Sequence, residues 1–316
     1  MSTMPTTMTL RSSQSPWRRG LVVLGYACLL LFAVLEVTPF LLTIANSFKC
    51  LPAVQEYPQG FIPLPPFGVD CRNAEGVTLP ASATAGRLTF NPALEGYEEV
   101  FSFNLPRWFI NSVVYSVGIT LLRVLLDSMA GYALARLNFR GNRTIFLGIL
   151  GTMMIPAIVL LIPRFIILQQ LGLLNTYQGV LIPLAADAFG IFLMKQFFES
   201  LPGEIIEAAK VDGAGQWTIF SRVALPLAGA GLVTLTIFSF LATWNNFMDL
   251  LIIVGGDKDL LNLPLGLALL RGQFGETLEW NIFLAGSVIT TLPMALLFFF
   301  FQRYFVEGVS YTGVKG

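Results

Sequence analysis

The chain contains no histidine. That excludes histidine general-base chemistry, histidine-activated nucleophiles and imidazole metal ligands. It also lacks a Gly-x-x-x-x-Gly-Lys-Ser/Thr run, so it has no phosphate-cradling loop of that type, and ATP-driven work would need another subunit. Charge is scarce, at 12% of 316 residues, where soluble domains carry about 25%. Lys plus Arg equal Asp plus Glu at 19 each, so net charge points to no nucleic-acid partner. Only three cysteines occur, Cys28, Cys50 and Cys71. Cys28 lies in an apolar run and reads as packing. Cys50 and Cys71 share a polar loop where a disulfide is open to them in an oxidising compartment, but their spacing does not decide it. What the chain has in abundance is apolar surface: 55% hydrophobic residues and a mean hydropathy of +0.71. This is an integral membrane protein.

Taken in order, residues 1–19 form a Ser/Thr-rich tail ending in Arg18 and Arg19. The apolar run of residues 21–44 is longer than the core of a secretory signal, and it reads as an uncleaved first span within 20–45. Residues 49–106 form a polar loop rich in Pro, Gly, Asn and Thr. Five more spans are expected at about 108–134, 144–168, 180–198, 227–254 and 281–301. The apolar piece 260–270 is too short to cross a bilayer and reads as a re-entrant or interfacial turn. Pro156, Pro163 and Pro183 fall inside spans, where proline frees carbonyls and permits kinks. Arg123 and Asp127 stand four residues apart in the second span, so they share a helix face, and an intramembrane ion pair is expected between them. Arg164 lies near the outer end of the third span, where an interfacial anchor is the plainer reading. Arg18, Arg19, Arg136, Arg140, Arg143, Lys210, Arg222 and Arg303 gather on one side. By the positive-inside rule that side is the cytoplasm, with both termini there and 49–106 outside.

One hydrophilic stretch interrupts the apolar runs: ESLPGEIIEAAKVDGAGQWTIFSRVALP, residues 199–226. Pro202 suits a helix start, Glu204 suits the positive end of the helix dipole, and Gly213 suits a left-handed stop. Trp217, Ile219, Phe220 and Val223 give a second short helix an apolar side. The expected form is helix, glycine turn, helix, lying against the cytoplasmic face.

Glu207-Ala208-Ala209, then Gly213, then Val223-Ala224-Leu225-Pro226 resembles the EAA loop of permease subunits in binding-protein-dependent ABC importers. Val for Ile is the one departure. From about Asn104 to Gly316 the chain is similar to carbohydrate-uptake permeases of the maltose-transporter kind. The segments that carry this are NSVVYS, LGLLNTYQGVLIPLAADAFGIFLMKQFFESLP, TWNNF and the closing VEGVSYTGVKG. The region 61–96 matches no such pattern, and Arg164 and Asp249 stand where that family more often has aromatic or apolar residues. The resemblance implies an all-α fold of six transmembrane helices, the type I importer permease, with a permease transmembrane domain at 107–306 and a cytoplasmic tail at 307–316. It implies a cell inner (plasma) membrane location and solute translocation by alternating access, most readily of a sugar or oligosaccharide. It also implies a second permease (a heterodimer), two ATPase subunits that bind the ATP and Mg, and an extracytoplasmic solute-binding protein. No cofactor or metal is expected in this chain. Glu207, Ala208, Ala209, Asp212, Gly213, Leu225 and Pro226 would meet the ATPase. Trp244, Asn245, Asn246 and Asn111 are candidates for the substrate path, since an aromatic face and amides suit sugar hydroxyls. A polyol or glycerol phosphate permease is the nearest alternative, and a single-chain secondary transporter a further one. A membrane enzyme is not supported, for no convergent catalytic set exists.

Overall fold

A computed structural model describes residues 16–56, 58–61, 71–72, 78–79, 92–273 and 279–313. Expectations for residues 1–15, most of the 61–96 region and Lys315 lie outside them. The chain divides into two units, Met1–Ala93 and Leu94–Gly316.

The first unit is built on α1 (Pro16–Ser47). Its apolar side chains are exposed along almost the whole length, as expected of a helix whose solvent is lipid. Pro39 lies inside it, and the hydroxyls of Thr38 and Thr43 donate to Val34 O and Pro39 O, taking up backbone acceptors near the proline. Beyond it, α2 (Leu51–Glu56) and a two-residue antiparallel pair, β1 (Cys71–Arg72) with β2 (Thr78–Leu79), give the loop some order. Lys49 Nζ donates to Asn46 Oδ1 and to Gly60 O. Cys50 is disulfide-bonded and Cys28 is free.

The second unit contains α3 (Glu95–Ser102), α4 (Leu105–Arg136), α5 (Asn142–Met153), α6 (Ala157–Gln170), α7 (Tyr177–Leu181), α8 (Ala188–Ser200), α9 (Gly203–Val211), α10 (Gln216–Leu227), α11 (Gly229–Trp244), α12 (Met248–Val254), α13 (Leu263–Gln273) and α14 (Trp280–Gly313). Helix α4 is the hub. It packs against α8 and α11, and it buries Tyr115, Ile119, Asp127 and Tyr132 on the faces so covered.

Six unbroken spans are not what the described residues form. Three helices are long and apolar enough to cross a bilayer: α1 from Gly20, α4, and α14 as far as Gln302. Spans three, four and five are made of pieces. Helices α5 and α6 meet at 102°, at Pro156, which has no N–H and disfavours helical geometry in the residue before it. Span four is divided between α7 and α8 by the irregular residues 182–187, which include Pro183. Span five breaks after Trp244 and resumes as α12. Helix α14 continues past the candidate span to Gly313.

Two apolar clusters hold the unit. One joins Trp108, Tyr115, Trp244, Ile253 and the leucines of 260–270 except Leu269. The short apolar piece is therefore a core plug formed by α13 and its lead-in. The other joins Tyr132, Met194 and Phe198 to Ile206, Ile219, Phe220 and Ala224, under the 199–226 stretch.

Candidate functional site

The stretch 199–226 folds as the sequence predicts and is fastened more firmly than expected. Helix α9 ends in a Schellman motif. Gly213 N donates to Lys210 O and Ala214 N to Ala209 O, both at 3.0 Å, while Gly213 sits at φ +79°. Only glycine adopts that conformation cheaply. Helix α10 begins after Gly215, and its middle turn, Ile219–Ala224, is a π-helix. Pro226 follows in the next turn with no N–H to give Arg222 O, and the wider turn re-registers the ladder around it.

Each helix buries one side and presents the other. Ile206 of α9 and Ile219, Phe220 and Ala224 of α10 are buried, and Phe220 meets the rings of Tyr132, Phe198 and Trp217. Arg136, the last residue of α4, donates to Phe198 O, Glu199 O and Leu201 O, satisfying carbonyls at the end of α8 with a cation. Lys195 pairs with Glu199 one turn earlier and lies 4.2 Å from the Phe146 ring centroid. In the sequence Arg136 is only one of the basic residues that follow the second span. Its place at a helix C-terminus was visible only once α8 lay beside α4.

The outward face carries Glu204, Glu207, Ala208, Lys210, Asp212, Gly213 and Pro226, all exposed, with Ala209 and Leu225 half-buried. Val211 (87% exposed) and Trp217 (62% exposed) stand apolar and uncovered on that polar surface. Trp217 was expected on the buried side, but the α10 core is Ile219, Phe220 and Ala224.

The four substrate-path candidates differ in what they leave free. Asn111 is fully buried with every amide group engaged. Its Nδ2 donates to Asp259 O and Leu261 O at 2.8 Å each, and its Oδ1 accepts from Tyr177 Oη at 2.6 Å. With Trp108 Nε1 on Lys258 O and Tyr115 Oη on Leu260 O, it clamps the lead-in to α13. Trp244 is buried too, with Nε1 on Thr290 O, Phe240 stacked on it and Phe109 edge-on. Neither offers a free surface to a solute. Asn245 is exposed, with its Nδ2 on Leu241 O. Asn246 Nδ2 donates to Asp249 Oδ2 at 2.9 Å, and its Oδ1 accepts from Asp249 N at 3.2 Å. Asp249 in turn forms an ion pair with Arg164. Arg164 is therefore not a free interfacial anchor.

The expected Arg123–Asp127 ion pair does not form. Ion pairs do join Arg164 to Asp249 and Lys195 to Glu199, but neither Arg123 nor Asp127 takes part in one. Arg123 Nε instead donates to Leu184 O at 2.9 Å, and Asp127 Oδ1 accepts from Asp187 N at 3.0 Å. Both charges serve the backbone of the break in span four, bonding Leu184 O and Asp187 N, which have no helical partner there. The side chain of Asp187 caps α8, accepting from Gly190 N at 3.3 Å. Gly190 lies against Asp127, and an added Cβ would stand 2.1 Å from Asp127 Oδ2. Sequence spacing put the two charges on one face, as found, but could not reveal a competing backbone beside them.

Residues 128–311 match the family described as binding-protein-dependent transport system inner membrane component. The arabinooligosaccharides transport system permease protein AraQ of Halalkalibacterium halodurans is 41% identical over 209 residues, 66% of this chain and 74% of that one. The diacetylchitobiose uptake system permease protein NgcG of Streptomyces coelicolor is 32% identical over 295 residues, covering 92% and 88%. A chain of a bacterial ABC transporter involved in the import of the acidic polysaccharide alginate superposes with a TM-score of 0.75 at 23% identity, covering 92% of this chain and 98% of that one. This last likeness speaks to the fold.

Proposed function

Because this chain belongs to the binding-protein-dependent transport system inner membrane components, we propose that it is the membrane-spanning subunit of an ATP-driven importer for an oligosaccharide. It moves solute by alternating access, while a separate subunit hydrolyses ATP. The observation that carries this reading is the 199–226 stretch, a rigid two-helix element with a buried side rooted in the bundle and an exposed side holding Glu207, Val211 and Trp217. Such a surface suits a groove on an ATPase subunit. A second permease completes the translocation path, since Trp244 and Asn111 are spent on internal contacts. An extracytoplasmic binding protein delivers the solute, and both termini lie in the cytoplasm. The relatives named for arabinooligosaccharide and diacetylchitobiose transport support a carbohydrate.

The test is co-expression with the candidate ATPase, second permease and binding protein, then reconstitution in proteoliposomes. ATP-dependent uptake of an oligosaccharide, with hydrolysis stimulated by the loaded binding protein, is expected. Uptake by this chain alone, driven by an ion gradient, would make it a secondary transporter instead.

A further inference from the structure

A guanidinium and a carboxylate meet between spans three and five. Arg164 is on α6 and Asp249 on the first turn of α12, just past the break in span five. Their ion pair leaves the side chains 24% and 18% exposed. One carboxylate oxygen takes the bond from Arg164 Nη1, and the other takes Asn246 Nδ2. Asn246 is itself fixed, because its backbone oxygen accepts from Asn262 Nδ2 at 2.7 Å. The guanidinium is thus held by a carboxylate that is held by an amide. Arg164 gives its protein bond through Nη1, and among the described residues its Nε and Nη2 hydrogens have no protein acceptor. Asn245, exposed in the same break, uses only its Nδ2.

Charges in a span face the bundle interior or a water-filled path, because lipid makes them cost several kcal/mol. A brace between two helices needs one donor, yet this guanidinium keeps further N–H groups uncommitted on a side chain that is not fully buried. Oriented, uncommitted donors match hydroxyls, which accept as well as donate. Asp249 cancels the positive charge, so the pair gives an anionic solute no net attraction.

We propose that Arg164, oriented by Asp249 and Asn246, is a specificity-determining contact on the solute path, taking the hydroxyls of a neutral oligosaccharide and not an acidic one. The proposal rests on the importer reading and narrows its substrate class. Asp249→Asn, which leaves the guanidinium's charge uncancelled, is expected to shift preference toward acidic solutes.

The experiment uses the complete complex in nanodiscs without the binding protein. Equilibrium binding is measured for a neutral trisaccharide, maltotriose, and an acidic one, trigalacturonate. For wild type the neutral sugar should bind the better. Arg164→Gln should weaken maltotriose binding about tenfold, the value of one or two charge-assisted hydrogen bonds. Asp249→Asn should raise the acidic-to-neutral affinity ratio about tenfold by the same measure. The charge-reversed double variant Arg164→Asp with Asp249→Arg keeps an ion pair but exchanges donor and acceptor positions. If it elutes as an assembled complex and binds maltotriose as wild type does, the pair is only a brace and the proposal falls. It falls equally if the ratio in Asp249→Asn is unchanged while wild type binds sugar, and the importer reading then stands. A wild-type complex that binds neither saccharide removes the sugar reading and this site with it.

Discussion

Asp127 and Arg123 show what a buried charge does when a better partner than its neighbour is at hand. Each bonds one backbone group of the 182–187 break, Asp127 to Asp187 N and Arg123 to Leu184 O. Because these bonds are separate, removing both side chains should be worse than removing either. Asp127→Ala and Arg123→Ala should each cost about 1–3 kcal/mol by orphaning a buried group, and the double variant more than either alone. An ion pair would give the opposite, with the second removal relieving the first. Thermal unfolding of the four proteins in detergent reads the difference. The test tells a pair from a clamp, a distinction that i,i+4 spacing cannot make. Asn111 teaches the same lesson. Its residue type suited a sugar site, but three hydrogen bonds commit it to the α13 lead-in. Asn111→Ala should lower stability by about 2–3 kcal/mol, counting the groups it would orphan, and leave solute affinity in the surviving folded fraction unchanged.

At the scale of elements, α9 and α10 form a docked arm. Gly213 has open space around its Cα but a left-handed backbone, so Gly213→Asp should strain the turn by roughly 1 kcal/mol. It should also uncouple: the protein still inserts, but ATP hydrolysis no longer answers the loaded binding protein. Ile219→Ala, at a fully buried position, should instead cost about 2–5 kcal/mol through the cavity it leaves, and so act on folding. Val211→Asp alters exposed surface, and should reduce the ATPase retained on purification while the melting temperature stays within a degree or two; Trp217→Asp should reduce it too, with a further loss of stability from the ring contact with Phe220. The order of these outcomes separates a rooted arm from a free lever. Much of this element was legible in sequence, because glycine, proline and the spacing between them act locally. What was not legible was its fastening, since Arg136, Tyr132 and Phe198 come from helices remote in the chain.

For the whole molecule, composition revealed the membrane but not the continuity of its spans. Apolar runs of adequate length do not disclose whether a proline within them bends, breaks or merely dents the helix; that depends on which neighbours satisfy the freed backbone. Sidedness is testable at exposed positions near the ends of the spans. In a background where Cys28 is replaced, Gln170→Cys should react with an impermeant thiol reagent from outside and Arg140→Cys should not. The reverse labelling would invert the topology and put the 199–226 arm beyond reach of ATP. The broken fourth span also has a bearing on how the protein is made. A segment with unsatisfied peptide groups is poorly suited to wait alone in lipid, and here its clamp, Arg123 and Asp127, stands earlier in the chain. During synthesis the second span therefore reaches the membrane first and is already in place when the break arrives, so the order of the polypeptide doubles as an order of assembly.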